Sequence, residues 1–137
     1  MESDFKSGDK QAERELLIFC PDLMFASRVQ NLARHAGVKS SLVHPGQERL
    51  SGDMLIASYG SGPGWQEAIR AAAKAGIPAV AFGPHVDSES RRAARAAGAV
   101  RVLTNSNLDR ELPPLLSDLV AGNIARVGPP GLDDPDD

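Results

Sequence analysis

Between Glu15 and Val120 the sequence alternates short apolar runs with longer helical segments, and this rhythm constrains the fold more than any other feature. Leu16 to Phe19 is a brief apolar run suited to a strand buried on both faces. Asp22 to Ala36 follows as a helix, with Leu23, Val29, Leu32, Ala33 and Ala36 on one stripe and Gly37 to close it. Ser40 to Val43 predicts a second strand and Met54 to Ala57 a third, led in by Gly52 and Asp53. Alanine-rich Trp65 to Ala75 predicts a helix ending at Gly76, and Pro78 to Phe82 a fourth strand. Ser88 to Ala97 predicts another helix, capped by Asp87 or Ser88 and stopped by Gly98. Val100 to Leu103 completes the strands. The last helix is expected over Leu112 to Val120, where Pro113 and Pro114 suit a first turn better than an interior.

Strand and helix in regular alternation imply a parallel sheet with right-handed crossovers and helices on both faces. The expected fold is therefore α/β, a flavodoxin-like three-layer sandwich with five strands in the order 2-1-3-4-5. One crossover is short. Only about ten residues separate Val43 from Met54, close to the minimum for a parallel connection. The second helix is expected to be a single turn around Gln47 to Leu50, or to be missing.

Outside this body the composition changes. Residues 1–14 mix charge with Gly and Ser and are expected to form a disordered polar arm; residues 15–122 form one domain; residues 123–137, ending GPPGLDDPDD, read as a flexible acidic tail. Apolar residues make up 42% of the 137, enough for one core, but there are only one Trp, one Tyr and four Phe. Alanine, leucine and valine must fill the interior. A net charge of −3 gives nucleic acid and anionic membranes little to attract, so neither is an expected partner. No apolar run approaches a membrane span and no secretory leader precedes the first strand, so a cytoplasmic location is expected.

Chemistry-bearing residues are few. The single cysteine, Cys20, excludes an internal disulfide and a cysteine metal cluster, and His35, His44 and His85 are too dispersed for a metal site. Cys20 is expected at the carboxyl edge of the sheet as a small buried residue, and a nucleophilic role would need a base such as His85 nearby. Gly60, Ser61, Gly62, Pro63 and Gly64 lie between a strand and a helix, where phosphate-cradling loops lie. The loop lacks GxGxxG spacing and a GK[ST] ending, and Pro63 removes a donor, so a tight turn is the simpler expectation. The alternative is a small-ligand edge formed by Gly60, Ser61, Gly62 and Gly64. Trp65 either anchors this edge by packing or contacts a partner.

The stretches LLIFCPDLMFASRVQNLARHAG (Leu16 to Gly37) and PAVAFGPHVDSESRRAARAAGAVRVLTNS (Pro78 to Ser106) resemble, in pattern and spacing, the first strand and helix and the fourth-to-fifth-strand region of bacterial response-regulator receiver domains. The likeness covers Glu15 to Val120. It implies a domain built to carry phosphoryl on an aspartate: an acidic pair after the first strand for Mg²⁺, an acceptor Asp ending the third strand, a Thr or Ser after the fourth, and a Lys after the fifth. In this chain those positions hold Cys20 and Pro21, Ser58, Gly83 and Asn105, and the aromatic switch position holds Val102. Only Asp22, one place late, offers a carboxylate. A one-residue slip would bring Thr104 or Ser106 to a hydroxyl position, yet no acceptor aspartate would appear.

The resemblance thus implies a degenerate, non-enzymatic pseudo-receiver with no cofactor and no metal, working through a protein partner or self-association. The surface receivers use for such contacts would here include Arg91, Arg95, Arg101 and Leu112, residues that also suit a solvated helix face. A nucleotide or metabolite sensor at the sheet edge is the alternative.

Overall fold

The computed structural model describes residues 13–44 and 50–122. The elements are β1 (Glu15–Phe19), α1 (Leu23–His35), β2 (Lys39–Leu42), β3 (Met54–Ser58), α2 (Trp65–Lys74), β4 (Ala79–Gly83), α3 (Ser88–Ala97), β5 (Arg101–Thr104), a 3₁₀ turn (Asn105–Asn107) and α4 (Leu108–Val120). All strand pairings are parallel and the order is β2-β1-β3-β4-β5, the flavodoxin-like arrangement expected from the alternation. Every residue of β3 and β4 is buried, which explains why these strands read as continuous apolar runs rather than alternating ones.

The strands divide their side chains between two cores. Leu16, Ile18, Met54, Ile56, Val80 and Phe82 pack with α1 and α4 on one face, while Leu17, Phe19, Leu55, Ala57, Ala79 and Ala81 pack with α2 and α3 on the other. The second core is rich in alanine (Ala68, Ala72, Ala94, Ala97), so α2 and α3 lie close to the sheet with few aromatics. Across the first face, Arg28 of α1 makes two bonds to Asp109 of α4, at 3.3 and 2.9 Å. Both side chains are exposed, so this ion pair contributes less than about 1 kcal/mol.

Local chemistry sets the helix ends. The Asp22 carboxylate accepts from the amides of Met24 and Phe25 at 2.9 and 3.4 Å, and that of Asp87 from Ser90 N–H at 3.1 Å. At the start of α4 the Thr104 hydroxyl accepts from Asn107 N–H at 3.2 Å, through the 3₁₀ turn. Here the sequence expectation is corrected: α4 begins at Leu108, a turn before Leu112, and Pro113 and Pro114 lie inside it. Two facts permit this. Leu108 and Leu112 are both fully buried one turn apart, so the added turn extends the apolar stripe. The carbonyls that the prolines leave without a helical donor belong to Asp109 and Arg110, both exposed to water.

β2 runs one residue earlier than expected, from Lys39, although Val43 N–H still donates to Ile18 O at 2.8 Å. The expected short second helix falls partly on residues 45–49, outside the described residues; Leu50 to Asp53 contains no helix. In its place Gly52 lies directly on Leu17, where an added Cβ would stand 2.8 Å from Cγ. Asp53 then ties the crossover to β1, its carboxylate accepting from Glu15 N–H at 2.9 Å. Most of the expected N-terminal arm and the whole tail likewise lie outside the described residues; Arg14 is joined to the body, donating to Leu119 O at 3.1 Å. No helix among the described residues is long and apolar enough to cross a membrane.

Candidate functional site

Ligands of doubly wound sheets bind at the carboxyl edge, which here is where β1, β3, β4 and β5 end. Cys20 and Ser58 meet there. Both are buried, Ser58 hydroxyl lies 2.8 Å from that of Ser61, and it accepts from Gly60 N–H at 3.3 Å. The Cys20 thiol donates to Asp22 O at 3.3 Å and has the Ser58 and Ser61 hydroxyls as neighbours. Burial pushes the thiol above its ordinary range, although the neighbouring Ser58 and Ser61 hydroxyls favour the thiolate. Such a thiol is a poor nucleophile. His85 is exposed and engaged elsewhere, its Nδ1 lying 3.3 Å from Arg91 Nη1, so these contacts do not pair it with Cys20 as a catalytic base.

Gly83 is filled from outside. An added Cβ would lie 2.5, 2.6 and 2.7 Å from three ring atoms of Tyr59, whose hydroxyl donates to Pro84 O at 2.7 Å. The ring therefore sits where a side chain at position 83 would begin. Trp65 backs Tyr59 with ring centroids 6.1 Å apart and is itself buried, so it anchors this edge by packing. The sequence reading missed Tyr59 because its partner Pro84 lies 25 residues away and only the β3–β4 register brings them together.

The glycine loop also turns its contacts inward. Gly60 lies against the Pro84 ring, where a Cβ would stand 2.6 Å from Cδ, and Gly64 (φ +101°) lies against Phe19. Gly62 is exposed, and Ser61 is committed to Ser58. On β5, Thr104 is buried and its hydroxyl caps the 3₁₀ turn while lying 3.3 Å from that of Ser106. Asn105 opens that turn, half-buried. The hydroxyls that a register slip would have offered are thus engaged in local structure.

These donors do not fit a magnesium ion. Hard cations require carboxylate oxygens, but Cys20, Pro21 and Ser58 carry none, and Asp22 spends its carboxylate on the end of α1. No group of three or more His, Cys, Asp or Glu among the described residues could hold a metal.

Two of the four expected interface residues are not on the surface. Leu112 is fully buried in the α1–α4 core. Arg91 is also buried, because α3 turns Arg91, Ala94 and Ala97 toward the sheet and the alanines leave room for its stem. Its Nη1 donates to His85 O at 3.4 Å as well as meeting the ring. Arg95 and Arg101 remain partly exposed.

Neither a family model nor a curated relative matches the chain. Solved structures do. A protein of Chloroflexus aurantiacus assigned as a response regulator aligns over 80% of this chain and 98% of its own, at 20% identity and a TM-score of 0.67. The receiver domain of a Pseudomonas aeruginosa sensor histidine kinase, with magnesium coordinated in its active-site cleft, aligns over the same shares at 19% identity and a TM-score of 0.62. A response regulator from Thermotoga maritima aligns over 80% and 98% at 14% identity and a TM-score of 0.65. This chain therefore has the fold of response-regulator receiver domains. Its carboxyl edge is a hydroxyl–thiol cluster and a tyrosine ring.

Proposed function

We propose that this chain is a phosphorylation-independent pseudo-receiver: a non-enzymatic bacterial signalling module of the cytoplasm that regulates by binding another protein or a second copy of itself. One observation carries the reading. The receiver scaffold is kept at every strand, while the positions that would handle phosphoryl hold Cys20, Pro21, Ser58, Gly83 and Asn105. Phosphotransfer to aspartate needs an acceptor carboxylate and carboxylate ligands for a cation, and the matched positions Cys20, Pro21 and Ser58 supply none. What such a scaffold still offers is surface.

Among the described residues that surface carries few large exposed apolar side chains, and Leu23, Met24 and Val86 stand out at 74%, 81% and 87% exposure. All three follow strand ends on the carboxyl side. Exposed apolar side chains of this kind are common anchors in protein contacts. Arg95 and Arg101 add charge on the α3–β5 side. The test is sedimentation of the purified chain over a concentration series, alongside affinity capture with identification of any bound protein. A variant carrying Met24→Ser and Val86→Ser is expected to weaken the association found. A chain that stays monomeric and captures nothing specific contradicts the reading.

A further inference from the structure

The loop from Gly83 to Asp87 is pinned from several directions. Pro84 O accepts the Tyr59 hydroxyl at 2.7 Å and Asp87 N–H at 3.3 Å. The Pro84 ring is wedged on Gly60, and the Gly83 backbone on the Tyr59 ring, at distances that leave no room for a methyl group at either glycine. From below, buried Arg91 donates to His85 O, and Asp87 fixes the entry to α3 through Ser90 N–H. Tyr59 N–H also donates to Phe82 O at 2.9 Å, so the same residue extends the β3–β4 ladder and grips the loop beyond it.

We propose that Tyr59 is a built-in latch that holds the β4–α3 loop in one conformation without any ligand, making it a fixed element rather than a switching one. The ring supplies shape and the hydroxyl supplies direction. A buried Tyr with a 2.7 Å bond to a backbone carbonyl is held by both, and neither bond nor contact depends on an ion or a modification. The inference stands apart from the functional reading, since a latched loop can serve a ligand site or a protein contact equally.

Tyr59→Phe keeps the ring and removes only the hydroxyl. Amide hydrogen exchange in the full chain then reads the latch directly, because the amides of Asp87, Ser88 and Arg91 have internal acceptors here. Their protection is expected to fall roughly two- to tenfold, the range for one lost hydrogen bond, while the amides of Leu55 and Tyr59 in the central ladder change little. A general structural role would instead loosen all of these amides together. Unchanged loop protection, or an equal loss in loop and ladder, overturns the proposal. Tyr59→Leu, which also removes the ring, is expected to widen the gap between loop and ladder further.

Discussion

Replacing Gly83 with alanine puts the packing of this edge under direct load. The added methyl would begin 2.5 to 2.7 Å from three Tyr59 ring atoms, well inside van der Waals contact. The ring has little room to yield, since Tyr59 is buried, backed by Trp65 and bonded to Pro84 O. Overpacking of this kind costs about 1–3 kcal/mol, and losing the hydroxyl bond adds about 0.5–1.5 kcal/mol. Gly83→Ala is therefore expected to destabilise by about 2–4 kcal/mol, lowering the melting temperature by roughly 10 °C or more in a domain of this size. Urea unfolding followed by circular dichroism gives the free energy. Tyr59→Ala is itself destabilising, but it clears the space, so Gly83→Ala in that background should cost under about 1 kcal/mol. The double-mutant cycle should thus return a coupling of about 2 kcal/mol. Additive effects of the two substitutions would refute the packing argument. So would a Gly83→Ala protein as stable as the parent.

Other substitutions test the remaining parts of the site. Ser58→Asp buries a carboxyl among Cys20 and Ser61 with no cation in contact, which raises its pKa above the unfolded value of about 3.9 and costs roughly 3–5 kcal/mol once ionised. The unfolded state then gives up its proton first as pH rises, so stability relative to the parent is lost progressively from about pH 4 toward neutrality and recovered as pH falls back through that window; a pH-independent difference in urea midpoint would contradict this. The raised Cys20 thiol predicts iodoacetamide alkylation with a midpoint above the free-thiol value of about 8.5. It also predicts stability present below that pH and lost above it, a loss absent in Cys20→Ala; a midpoint at or below a free thiol would contradict both. Asp22→Ala should cost about 1 kcal/mol by uncapping α1, while Asp22→Asn should be nearly neutral, and equal losses in the two would point to charge rather than capping.

The architecture was legible because its signals are local. Gly37, Gly76 and Gly98 punctuate the helices, and the fully buried strands write themselves as unbroken apolar runs. The boundaries that shifted are those decided by packing: Leu108 joins α4 because it completes a buried stripe, against the local signal of two prolines. Arg91 was unreadable for the same reason. A run of arginines and alanines looks like a solvated helix, and only the docking of α3 shows which arginine faces inward. At the candidate site, the lack of carboxylates at Cys20, Pro21 and Ser58 could be read residue by residue from the resemblance to receivers. The refilling of the space could not, because Tyr59 meets Gly83 and Pro84 only through cross-strand register. Tyr59 following a strand, with a glycine at the matching place on the next strand, is the signal that could have suggested it.

The central claim is that a receiver scaffold is kept here while its phosphoryl chemistry is absent. Incubation of the full chain with acetyl phosphate and magnesium, followed by intact mass measurement and amide chemical shifts, tests it most directly. The account predicts no added phosphoryl mass and no shift changes at Cys20, Ser58, Tyr59 or Thr104 with magnesium alone or with both reagents. A hydroxylamine-sensitive phosphoryl adduct, or magnesium-dependent shifts concentrated at those residues, would contradict it.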